Sequence, residues 1–364
     1  MRDNADPFTI RDLGPDEIIM ENGFYRIPME RHHGQPCVTP ERLEEIKDGD
    51  TPKPGEWSVT SSVLRDVVKH GPASVYQRSL LNPNREPKPE TDALRLGRIM
   101  AAYIENGPEG IEEFVRVVAS KPDSMTVPEM IEWAKSGRDK PFSPPARPSL
   151  DAVMKWAEGK GTPAAKRAIE YWRDIDSDPR MIVKEHEWET ICEMGKALAA
   201  DPKARAVMDG VPEITMAWLD EETGIWCLSR PDTVSFSGIT TDYKKMSAQG
   251  RVFNGNLVDH RITDFRYDMQ GAFACQGFEV LTEARPSFGI IAQSDVAPYK
   301  VVLREISTQD LHMGQFDNMA ALKTYHQCMI KNDWTDEAED VGEYRRPQWM
   351  TDQIMERMVK AEAA

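Results

Sequence analysis

The chain lacks the features that would make it a membrane protein, a disulfide-bonded secreted domain or a zinc ribbon. Its 364 residues contain no apolar run near the roughly 18 residues that a membrane span needs; the longest are short stretches such as Phe288 to Ala292. The first residues, MRDNADPF, lack the apolar stretch of a signal peptide. A cytoplasmic protein with no membrane association is therefore expected. Only five cysteines occur, Cys37, Cys192, Cys227, Cys275 and Cys328, none in a CxxC pair. That signals neither a disulfide framework nor a zinc or iron–sulfur cluster. The seven histidines are dispersed, without the helical or strand spacing of metal ligands.

Positive charge is also in deficit. The formal net charge of −16 excludes a protein that coats nucleic acid, because phosphate binding is driven by Lys and Arg releasing counterions. It leaves room for an enzyme that holds DNA in a local basic groove, and a carboxylate-rich metal site itself adds negative charge. No internal repeat or low-complexity tract is present.

What is there begins after a Pro-, Gly- and charge-rich lead-in, residues 1–55, expected to be an irregular arm. Ser58-Val-Thr-Ser-Ser-Val-Leu-Arg opens a helix with Val63, Leu64, Val67 and Val68 at helical spacing, and a second helix is expected over Ala93 to Ile104. Residues 106–210 read as largely helical, with breaks at Lys121-Pro122-Asp123 and in the Pro-rich stretch from Lys140. The period then changes. Ile214 to Leu219, Ile225 to Ser229, Thr233 to Phe236 and Ile239 to Tyr243 form a β-meander with turns at Glu221-Glu-Thr-Gly and Ser237-Gly. A long helix, Thr263 to Thr282, precedes strands near Phe288 to Gln293 and Tyr299 to Arg304, then a final pair of helices, with 351–364 as a helical tail. This order predicts an α/β (α+β) fold with one central mixed sheet flanked by helices.

The chemistry concentrates in Ser229-Arg-Pro-Asp232-Thr-Val-Ser-Phe-Ser-Gly-Ile-Thr-Thr-Asp242-Tyr-Lys244. Residues two apart on a strand share a face, so Asp242 and Lys244 project together and Tyr243 faces away. Hairpin pairing sets Asp232 beside them. Two adjacent carboxylates suit Mg²⁺, with Mn²⁺ able to substitute, since such ions take oxygen ligands and keep waters for a phosphate. A neighbouring lysine can orient the attacking water or stabilise the pentavalent phosphate. A D-x-K pair alone also occurs as a solvated surface ion pair. On the following helix Arg266, Gln270 and Ala274 form a stripe beside an apolar side of Phe265, Met269, Ala272, Phe273 and Val280. Glu213, before the first strand of the meander, and Glu105 are additional acidic candidates. Arg95, Arg98, Arg230, Lys245, Arg251, Arg261 and Arg266 flank these motifs and are the candidate DNA contacts.

The Ser-x-Ser helix, LRLGRIMAAYIE, PEITMAWLDEETGIWCLSRPD, GITTDYKK, YDMQGAFACQGFEVLT, APYKVVLREI and CMIKNDW, in this order over about residues 58–350, resemble the PD-(D/E)xK exonuclease domain of the RecE (exodeoxyribonuclease VIII) family, related to RecB-type nucleases. The resemblance implies a restriction-endonuclease-like core over residues 56–350 with a helical insertion at 106–210. It implies a Mg²⁺-dependent exonuclease degrading double-stranded DNA from its ends, 5′ to 3′, often phage-borne and a ring-shaped tetramer. The implied partner is a RecT-like single-strand annealing protein. The metal aspartates fall on Asp232 and Asp242, joined by the Tyr243 backbone carbonyl, the catalytic lysine on Lys244 and the motif glutamine on Gln270. Two positions depart from the pattern. Gly97-Arg-Ile-Met-Ala101 has alanine where the family carries a metal-binding histidine, and Gln270-Gly-Ala-Phe-Ala274 has alanine in place of a tyrosine. The first departure raises the alternative of a catalytically silent DNA-binding homologue, and it makes Glu105, one turn beyond Ala101, a candidate for the same site.

Overall fold

The computed structural model describes residues 9–47, 51–85, 91–118, 155, 177–235, 238–336 and 345–362. The expected breaks at Lys121-Pro122-Asp123 and from Lys140 lie outside these residues, as do Phe236 and Ser237 of the meander.

The elements run β1 (Ile10–Asp12), β2 (Gly23–Arg26), α1 (Met29–His32), α2 (Pro40–Glu45), β3 (Ser58–Thr60), α3 (Ser61–Arg78), α4 (Asp92–Gly110), β4 (Val115–Val118), β5 (Met181–Lys184), α5 (Glu185–Ala200), α6 (Pro202–Met208), β6 (Gly210–Pro212), β7 (Thr215–Leu219), β8 (Trp226–Ser229), β9 (Thr233–Ser235), β10 (Ile239–Met246), α7 (Gly255–Phe265), α8 (Tyr267–Thr282), β11 (Ser287–Ser294), β12 (Val301–Glu305), α9 (Thr308–Lys331) and α10 (Gln348–Glu362). The fold is mixed α/β, as expected. No helix among the described residues is long and apolar enough to cross a membrane.

The strands divide into two five-stranded sheets, ordered β1-β2-β7-β8-β3 and β12-β11-β10-β9-β6, with a separate β4-β5 pair. One central sheet was expected. The meander instead bends at a corner shared by two strand pairs, β7 with β8 and β6 with β9. On one side of the corner Glu213 takes φ +52°, a left-handed conformation unusual outside glycine. On the other side Pro231 offers no N–H to a ladder. The Glu213 N–H donates to the Asp232 carbonyl at 3.2 Å across the bend.

The N-terminal 55 residues are also more regular than expected, because β2 pairs antiparallel with β7 and extends the first sheet.

Helix α8 covers both sheets. Its apolar residues Met269, Ala272, Phe273 and Cys275 are buried in the main core. Two glycines set how closely it lies: a Cβ at Gly271 would stand 2.4 Å from the Phe288 ring of β11, and one at Gly277 would stand 2.5 Å from the Trp218 ring of β7. The expected Thr263–Thr282 helix is broken, since Arg266 adopts φ 53°, ψ 49° and closes α7 through its N–H to the carbonyls of Ile262 and Thr263. A second core, with Ile99, Met100, Ile191, Met194 and Ile291, packs α4 and α5 on the opposite side of β11.

Candidate active site

Strand β10 is the centre of the site. It pairs parallel with β11, matching Asp242 to Ile290 and Lys244 to Ala292. Parallel pairing requires a long crossover, which α7 and α8 provide. On its other edge β10 pairs antiparallel with β9 through Thr240 with Val234 and Thr241 with Thr233. Continued by one residue, this register sets Asp232 opposite Asp242. The ladder stops there, and the Tyr243 N–H donates to Asp232 Oδ2 at 2.6 Å instead. In a strand the N–H and C=O of one residue point to the same side, so the Tyr243 carbonyl is directed to the Asp232 edge as well.

The Tyr243 side chain takes the opposite face. Its hydroxyl donates to Gln293 Oε1 at 2.7 Å, and Gln293 Nε2 donates to the Met194 carbonyl at 2.8 Å. Those bonds tie β10 to α5 and fix which face receives Asp242 and Lys244.

Asp242 is 2% exposed, and its Oδ2 is ion-paired with Lys244 Nζ. Lys244 Nζ also overlies the Tyr267 ring, 5.3 Å from the centroid. Burial alone would lower the Lys244 pKa, but the charges of Asp242 and Asp232 outweigh it and hold the ammonium above its ordinary value. Burial pushes the Asp232 carboxyl well up, reinforced by the Asp242 and Glu213 charges, while Lys244 and the Tyr243 N–H pull it down. Two ionised carboxylates sharing one ammonium leave negative charge uncompensated.

That charge suits a hard divalent cation. Among the described residues no three His, Cys, Asp or Glu side chains group closely enough to hold a metal ion by themselves. The donor set that fits is therefore Asp232, Asp242 and the Tyr243 carbonyl, with the remaining positions left to water and phosphate.

Gln270 lies on the first turn of α8, and its buried Oε1 accepts no hydrogen bond among the described residues. The Arg266–Gln270–Ala274 stripe does not form: Arg266 precedes the helix and Ala274 is packed in the core. Glu213 is half-buried and accepts from Arg230 Nε at 2.5 Å. Burial raises its pKa, Arg230 opposes, and the charges of Glu105 and Asp242 add to the rise. Glu105 is exposed on α4, and Ala101, one turn earlier, shares its face. That face of α4 is thus within electrostatic reach of the site.

Most of the candidate DNA contacts are engaged within the protein. Arg95 donates to the Ile182 carbonyl and pairs with Asp92 and Glu187, joining α4 to α5. Arg230 holds Glu213 and the Ile27 carbonyl. Lys245 pairs with Asp295 at 3.5 Å, and Arg266 with Asp268 and Asp317. Arg261 donates to Gln249 Oε1, and Arg98 and Arg251 are exposed.

Two residues that the sequence reading passed over join the site. Tyr267 lies under Lys244, and its position one turn before Gln270 on the same helix was an available signal. Arg65, on α3, also lies over this ring, Cζ 5.8 Å from the centroid. Nothing local marks Arg65, because only the packing of α3 against α8 brings it there.

Residues 76–347 match the family model described as a PDDEXK-like domain of unknown function (DUF3799). A crystal structure of a candidate exonuclease from Eubacterium rectale resembles the chain with a TM-score of 0.45 and 13% identity, over 87% of this chain and 96% of that one. No match was found among curated proteins. With the family model spanning most of its length, the chain belongs to the PDDEXK-like family.

Proposed function

We propose that the protein is a metal-dependent exodeoxyribonuclease that degrades double-stranded DNA from its ends. The observation that carries this reading is the Asp232 carboxylate held on the Tyr243 N–H, opposite a buried Asp242 that is paired with Lys244. Phosphodiester hydrolysis needs a place for a divalent cation, a positioned water and charge stabilisation of the phosphate, and these three groups supply that chemistry.

Asp232, Asp242 and the Tyr243 carbonyl would hold Mg²⁺ or Mn²⁺. When bound, such an ion supplies Lewis-acid charge at the phosphate and lowers the pKa of water. The Lys244 ammonium, kept protonated by the two aspartates, orients the nucleophile through its N–H donors and stabilises charge developing on the phosphate oxygens. Gln270, whose Oε1 has no partner among the described residues, would accept a hydrogen bond from the attacking water. Glu213 and Glu105 add negative potential at the rim and are candidates to hold a second ion.

The 5′ to 3′ polarity, the role in single-strand annealing, the RecT-like partner, the ring-shaped tetramer and a cytoplasmic, phage-borne origin belong to this proposal through the resemblance to RecE. Ala101 favours one second reading, a silent homologue that binds DNA without cutting it. Incubating linear and covalently closed duplex DNA with the protein and Mn²⁺, each strand end labelled in turn, separates the readings. Loss of 5′ label from linear DNA alone supports the proposal; intact linear DNA at every Mn²⁺ concentration supports the silent homologue.

A further inference from the structure

The cations around the aspartates are mostly matched to carboxylates: Arg230 to Glu213, Arg266 to Asp268 and Asp317, Lys245 to Asp295. Arg65 is different. It is half-buried on the second turn of α3, yet among the described residues it forms no ion pair. Its Nη1 donates to the Phe265 carbonyl at 3.0 Å and its Nε to the Ser61 carbonyl at 3.4 Å. Among the described residues the second terminal nitrogen has no hydrogen-bond partner. The guanidinium lies over the Tyr267 ring that Lys244 also overlies, and the Asp242 charge acts on it.

Partly burying a guanidinium without a direct ion-pair partner is costly. Such a group is retained most economically where an anion arrives with the ligand, and the planar fork of arginine matches a phosphate. We propose that Arg65 is a substrate-contacting residue, whose guanidinium binds a DNA backbone phosphate next to the one cleaved at Asp232 and Asp242. Tyr267 then serves as a common platform, keeping the Arg65 fork and the Lys244 ammonium at a set separation so that consecutive phosphates register with the site. This inference rests on the nuclease reading above.

The rival role for Arg65 is structural, closing the end of α7 through the Phe265 carbonyl. Lys69 offers a matched control, since its Nζ donates to the neighbouring Asp264 carbonyl at 2.8 Å from an exposed position on the same helix. Duplex binding is measured by fluorescence anisotropy over a salt series, with Ca²⁺ added to hold the complex without turnover. Arg65→Gln should weaken binding and reduce the slope of log K against log salt by about 0.9, the contribution of one phosphate contact. In Mn²⁺ its loss should fall mainly on KM, by roughly tenfold or more. Arg65→Lys should keep the wild-type slope at several-fold lower affinity, and Lys69→Gln should keep both. An unchanged slope in a folded Arg65→Gln protein overturns the proposal. Should that variant fail to fold, undiminished affinity in Arg65→Lys overturns it equally. A wild-type protein that neither binds nor cuts duplex DNA would instead sink the nuclease reading itself.

Discussion

The Asp232 carboxylate accepts the backbone N–H of Tyr243 at 2.6 Å, so one hydrogen bond ends the β9–β10 ladder and brings the second acid to the first. Strand pairing and site assembly are therefore the same event. A variant that keeps an acceptor at position 232 should keep the local fold, and this permits functional substitutions to be read without confusion from unfolding.

Lys244→Ala should lower kcat by roughly a hundredfold or more, the scale of removing one preorganised donor from a transition state. Its effect on metal binding has the opposite sign to that of an aspartate variant. Removing the ammonium frees Asp242 of its ion-pair partner, so Mn²⁺ affinity should hold or increase. Calorimetry showing weakened Mn²⁺ binding in Lys244→Ala would contradict the role assigned to the lysine.

Ala101→His should raise activity at limiting metal, with the gain shrinking as Mg²⁺ or Mn²⁺ is increased. A neutral imidazole on the face of α4 shared with Glu105 adds a side-chain ligand, and higher metal concentration compensates for its absence by mass action. Titration of exonuclease rate against metal for both proteins is the measurement. Equal rates throughout would mean that α4 does not present this position to the ion.

His32 predicts acid lability remote from the aspartates. It is 4% exposed, with Nδ1 3.1 Å from Thr215 Oγ1. Burial, with help from the His33 and Arg230 charges, lowers its pKa from 6.5 to about 3. The unfolded chain therefore binds a proton that the folded chain refuses between those values. Stability contributed by the neutral ring is fully present above about pH 6.5 and is lost as pH falls toward about 3. Denaturant midpoints taken from pH 7.5 down to 4.5 should fall, and His32→Gln should flatten the slope. A slope unchanged in that variant would assign the lability to other groups.

Gly271→Ala should cost about 1–3 kcal/mol, the usual range for overpacking, because the added Cβ meets the Phe288 ring at 2.4 Å. Thermal unfolding of the variant checks this. No loss of Tm would show that α8 can move off β11 without consequence.

Asp242 and Lys244 were legible because strand periodicity alone puts residues two apart on one face, and Asp232 because a short hairpin constrains register. The family order of motifs added Gln270. Other features depended on information that no local pattern holds. The division into two sheets turns on the left-handed backbone at Glu213, a residue type that gives no warning of it. The break at Arg266 is of the same kind. Sign and nearness in sequence mark the candidate DNA contacts, whereas the carboxylates that occupy Arg95, Arg230 and Arg266 arrive from Glu187, Glu213 and Asp317. Arg65 was missed for the converse reason: its surroundings are assembled by helix packing.

The central claim, that Asp232 and Asp242 form the metal site of a nuclease, is tested most directly by comparing wild type with Asp232→Asn and Asp242→Asn. Each protein is titrated with Mn²⁺ by calorimetry and assayed on linear duplex DNA at saturating Mn²⁺. The account predicts metal-dependent digestion by the wild type, and in both variants weakened Mn²⁺ binding and at least a hundredfold loss of cleavage, with folded far-UV spectra. Digestion by either variant at the wild-type rate would contradict it.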